Sequence, residues 1–69
     1  MKRKEILKRL RMQAKNAGLP YAEEELTRHT AIQIGSVRSF LGRHAEIDDK
    51  TARKFFDQFA DVFGRGWWR

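Results

Sequence analysis

The sequence predicts an all-α domain, and three observations predict it. Apolar residues recur at the helical period over two long stretches, residues 2–17 and 48–63. Both stretches run into a glycine, Gly18 and Gly64, the residue that most readily closes a helix. Nothing between them competes as a strand. With 69 residues the chain is one domain at most, and it has no cysteine for a disulfide or a thiolate zinc site. A domain of this size buries only about 60% of its unfolded surface. Oligomerisation is therefore the expected route to further burial.

The first helix runs from Lys2 to Ala17. Ile6, Leu7, Leu10, Ala14 and Ala17 form its core stripe, and Lys4, Lys8, Arg11 and Lys15 form a second, basic stripe. Gly18 and Pro20, the only proline, stop it. A second helix opens near Tyr21 or Ala22, with Glu23, Glu24 and Glu25 at the positive end of its dipole, and continues to Thr30. A third runs from Gln33 or Ile34 to Leu41 or Gly42. It turns Val37, Phe40 and Leu41 to one side and Gly35, Arg38, Ser39 and Gly42 to the other.

The fourth helix starts at an Asp48 or Asp49 cap and ends at Gly64. Its apolar arc of Ala52, Phe55, Phe56, Phe59, Ala60, Val62 and Phe63 is wider than one small core needs. That leaves Phe55 and Val62 for a partner chain. The last six residues have no helical pattern. Trp67 and Trp68 there carry too much apolar area to stand in water, and docking on a twofold-related subunit is the expected use.

Charge narrows the function. Lys and Arg number 15 against 9 Asp and Glu, a net +6, and residues 1–16 alone hold seven bases and one acid. Such a balance suits a polyanionic partner. No apolar run exceeds two residues, which excludes a membrane span and a secretory leader and makes the cytoplasm the expected compartment. An enzyme is not expected. His29 and His44 lie fifteen residues apart without ligand spacing, Asp48-Asp49 reads as a cap, and no phosphate loop is present. No metal or cofactor is expected either.

Residues 23–42 fit a helix-turn-helix spacing. Leu26 and Thr27 stand where two helices cross, Ala31 and Ile32 make the turn, and Val37 and Phe40 seat the second helix. On these residues, with Ile6 to Arg11, Gly18-Leu19 and Ser36 to Leu41, the chain resembles the lambda-repressor-like (Cro and repressor, XRE-type) DNA-binding family over residues 5–63. The resemblance implies four helices, or five with the family's short last one, in a domain of residues 1–64 followed by the tail 65–69. It implies a dimeric transcriptional regulator of phage or plasmid type on a roughly palindromic operator in double-stranded DNA.

Gln33, Ile34, Gly35, Arg38 and Ser39 would read bases, and Lys4, Lys8, Arg11, Lys15 and Arg43 would hold phosphates. Phe55, Val62, Trp67 and Trp68 would form the dimer contact. The pattern departs from the family at Ala31, where relatives place Gly, and at Gly35, an unfavourable residue inside a helix. Two alternatives remain in view. One is an antitoxin-type autorepressor that holds a protein partner with its tail. The other is a nucleic-acid chaperone or RNA-binding module that uses the basic first helix without base readout. A basic helix lying on a membrane surface fits the Phe-rich fourth helix poorly.

Overall fold

The computed structural model describes all 69 residues. Its first helix, α1 (Arg3–Ala17), buries Ile6, Leu7, Leu10 and Ala14 of the expected stripe, whereas Ala17 in its last turn is exposed. Gly18 closes it at φ 69°, donating its N–H back to the carbonyls of the last turn.

Beyond Pro20 the all-α expectation is overturned: the fold is α+β, with three helices and a three-stranded antiparallel sheet. Residues expected to form the second and third helices are instead β1 (Tyr21–Glu25), β2 (His29–Ile34) and β3 (Val37–Gly42), paired in chain order. The reason lies in a period of two. Thr30, Ile32 and Ile34, followed by Val37, Ser39 and Leu41, turn inward, whereas Gln33, Arg38 and Phe40 turn to solvent. Between the strands Gly35 and Ser36 form a two-residue hairpin turn, with Ile34 opposite Val37. Gly35 adopts φ 58° and no non-glycine residue has positive φ, which is the pattern of a turn with glycine in first place. Its unfavourable position in a helix disappears once the segment is a hairpin.

The Glu23-Glu24-Glu25 run is an edge strand and not a first helical turn. Charges on an exposed edge oppose pairing with another chain. After β3 an extended segment leads to α2 (Asp49–Asp57), capped by Asp48, whose carboxylate accepts from the Thr51 N–H at 3.1 Å and the Thr51 hydroxyl at 2.7 Å. The expected fourth helix breaks at Gln58 and Phe59, and a short α3 (Ala60–Phe63) follows. No helix is long and apolar enough to cross a membrane.

One core joins the layers. Ile32, Ile34 and Leu41 of the sheet meet Ile6, Leu7, Leu10 and Ala14 of α1 and Ala52, Phe55, Phe56 and Phe59 around α2. Both long helices therefore cover the same face of the sheet, and the other face is open. The tail folds back on this core. Trp67 sets its ring edge-on against Phe56 and Phe63 and donates Nε1–H to the Phe56 carbonyl at 2.9 Å. Trp68 donates to Asp57 Oδ1 at 2.7 Å. Phe55 is buried in the core, and Val62 lies beside Gly35. All four residues expected at a dimer contact are thus engaged within their own chain.

Candidate nucleic-acid interface

Three segments meet at one pole of the molecule. The start of α1 is stitched to the segment after β3: the Arg3 N–H donates to the Ala45 carbonyl, and the Ile47 N–H to the Met1 carbonyl, both at 2.9 Å. The β1–β2 turn ends at the same pole, because His29 is opposite Gly42. A shallow hollow there is lined by Lys2, Arg3, Lys4, Arg43, Ala45 and Glu46.

Beneath this surface lies a polar network. Arg3 donates from Nε to the Gly42 carbonyl at 3.1 Å and from Nη2 to the Thr30 hydroxyl. Thr30, fully buried, donates in turn to Glu25 Oε1 at 2.7 Å. Arg43 closes the network, 2.7 Å from the Glu25 carboxylate and 3.2 Å from the Leu26 carbonyl. Glu25 is held between two guanidiniums, which fixes the end of β3 and leaves the pole cationic. Lys2, Lys4 and Arg28 have no ion-pair partner, and they add three uncompensated charges around it.

The sheet register brings both histidines to Gly42. Residues directly opposite on antiparallel strands share a face, with Cβ positions about 5 Å apart. His29 is exposed at the start of β2, on the open face, opposite Gly42. The His44 ring lies 3.8 Å from where a Cβ of Gly42 would be, which is on that same face. Gly42 carries no side chain, so its stretch of backbone at the cationic pole is bordered by His29 across the strands and approached by the His44 ring. Fifteen residues of sequence separation are removed by one hairpin and a two-residue step past the strand.

The residues expected to read bases are dispersed by the fold. Ile34 is fully buried on the inner face, and Ser39, also buried, bonds Gln58. Gly35 makes the turn. Only Gln33 and Arg38 share a surface: they are opposite each other on the open face, with Arg38 3.4 Å from Glu24. Of the expected phosphate contacts, Lys4 and Arg43 belong to the pole, while Lys8 and Lys15 are exposed along α1. Arg11 is engaged with Glu23 at 3.7 Å and with the Tyr21 ring. Burial, reinforced by the bond to Glu23, pushes the Tyr21 phenol well above its ordinary pKa, so it stays neutral.

Sequence reasoning missed Lys2, Arg28, His29 and His44 as a group. The signal that would have found them is the alternation of Thr30, Ile32 and Ile34, which sets His29 outward. No three side chains of the His, Cys, Asp and Glu types converge as a metal-binding cluster. Comparison with protein-family models, with curated proteins and with solved structures gives no match for this chain.

Proposed function

We propose that this protein binds RNA at its cationic pole and cleaves the strand there, with His29 and His44 as a general acid–base pair. The observation that carries the reading is that Gly42 has exposed His29 directly opposite it on β2 and the His44 ring 3.8 Å from its Cβ position, with Arg28 and Arg43 next in sequence to His29 and His44. A regulator that reads operator DNA with a recognition helix loses its instrument, because residues 33–42 are a hairpin. The RNA-binding alternative, which uses the basic first helix and no catalysis, keeps the support of the charge. The acid–base pair departs from the expectation of no enzyme and rests on the approach of His29 and His44 to Gly42.

Imidazole is suited to proton exchange near neutral pH. One histidine, in its neutral form, takes the proton from a ribose 2′-hydroxyl. The 2′-oxygen bonds to the adjacent phosphorus, and the bond from phosphorus to the 5′-oxygen breaks. The other histidine, protonated, gives its proton to that leaving oxygen. The products are a 2′,3′-cyclic phosphate and a 5′-hydroxyl, and proton exchange with water resets the pair. Negative charge gathered on the phosphoryl oxygens is met by Arg28, which has no ion-pair partner, and by the net positive field of the pole. DNA binds the same pole through its phosphates and is not cut, because it lacks the 2′-hydroxyl.

Cleavage of a labelled single-stranded RNA, alongside a DNA strand of the same sequence, tests this. RNA alone should be cut, and His29→Ala or His44→Ala should each slow it by about 100- to 10,000-fold. Binding should persist in both variants. Undiminished cleavage by the double variant, or no binding of RNA at all, would overturn the proposal.

A further inference from the structure

The open sheet face carries one largely exposed aromatic side chain, opposite the buried Ala31. Phe40 is 53% exposed in the middle of β3, although every other phenylalanine packs into or against the core. Across the strands it forms a row with Ala31 and Glu24, and the next row along the strand is His29 with Gly42. The row on its other side is Ala22, Gln33 and Arg38, and the Arg38 guanidinium lies 5.7 Å from the Phe40 ring centroid.

Two charge environments meet on this surface. At the pole the cations exceed the acids, which suits a phosphate. Around Phe40 the Arg38 charge is balanced by Glu24 at 3.4 Å, so the surface is near neutral, with an exposed ring and polar groups of Gln33 and Glu24 beside it. That combination suits a nucleobase: a π-face to stack on and donors and acceptors for its edge. Phe40 and Gly42 are two residues apart on one strand, about 7 Å. A base stacked on Phe40 therefore places a neighbouring phosphate beside Gly42, the residue that His29 opposes and the His44 ring approaches.

We infer that Phe40, with Arg38 beside it, is a stacking platform for one base of single-stranded RNA, and that it seats the strand for cleavage at the adjacent phosphate. This deepens the proposed RNA-cleaving reading and rests on it. It commits the site to single strands, since a paired base is stacked within its own helix and does not reach the ring.

The test uses the whole chain and a 2′-O-methyl RNA strand, which cannot be cut, as single strand and as duplex, with binding followed by fluorescence anisotropy. Loss of one base–aromatic stack should weaken single-strand binding by about 5- to 150-fold in Phe40→Ala and Phe40→Leu. Phe40→Trp should restore it, and duplex affinity should change by less than about twofold, since it depends on the pole. If the wild-type protein binds single strands and Phe40→Ala binds them equally well, the platform is refuted while the RNA reading stands. If the wild-type protein binds neither strand, the RNA reading fails with it. In that case, loss of self-association in Phe40→Ala by sedimentation would assign the ring to a protein contact.

Discussion

Single residues decide where this chain turns and how its short helices begin. Gly35 holds φ 58° at the hairpin, and a Cβ there would meet Val62 at an ordinary 3.5 Å, so the backbone alone carries the cost of a side chain. Gly35→Ala should therefore lower stability by about 1 kcal/mol, read as an earlier urea midpoint with an unchanged slope. Asp48 acts through charge. The Thr51 hydroxyl and then its N–H donate to the Asp48 carboxylate and hold it below the usual carboxylate pKa. A depressed folded-state pKa means that the cap's stabilisation is fully present above the ordinary carboxylate range. It is lost as pH falls through the depressed value. Asp48→Ala should melt earlier than wild type at neutral pH, and the two melting curves should converge in acid. A constant gap at every pH would refute the assignment.

At the level of elements, legibility varied with how many constraints each segment carried. Helix α1 was legible because its stripe, its length and its glycine stop agree. The α2 cap was legible because Asp48 precedes a Phe-rich run. The hairpin was misread because Val37, Phe40 and Leu41 share a helix face as readily as Val37, Ser39 and Leu41 share a sheet face. The deciding signals were the alternation of Thr30, Ile32 and Ile34 and the Gly35-Ser36 pair. Strand β1 offers no such signal, since Ala22 through Glu25 lack any apolar alternation, and its pairing with β2 is what makes it a strand.

The tail was legible as something that must be covered, but not as something covered by its own chain. Trp67 packs on Phe56 and Phe63 and bonds the Phe56 carbonyl, so Trp67→Ala should cost up to about 3 kcal/mol. Chemical denaturation reads this, and stability equal to wild type would show the ring to be incidental.

The molecule as a whole has two helices on one side of its sheet and an open face on the other, with a cationic pole where that face ends. The candidate site was invisible in the sequence for the same reason as the hairpin. His29 and His44 come to the same residue, Gly42, only through the pairing of β2 with β3, and Arg3 reaches it from the far end of the chain by donating to the Gly42 carbonyl. Cations at this pole should appear in the salt dependence of binding. Lys4→Ala should weaken all strands alike and lower the slope of log affinity against log salt by about 0.7 for single-stranded RNA. A slope equal to wild type would remove Lys4 from the interface.

In the proposed function the two histidines transfer protons to and from a ribose-bearing linkage. The most direct test is a DNA strand that contains a single ribonucleotide, incubated with the wild-type protein and with the His29→Ala/His44→Ala variant. The products are identified by mass spectrometry. One cut on the 3′ side of the ribonucleotide, leaving a 2′,3′-cyclic phosphate and absent with the variant, is the predicted result. An intact strand, or the same cut made by the variant, would contradict the account.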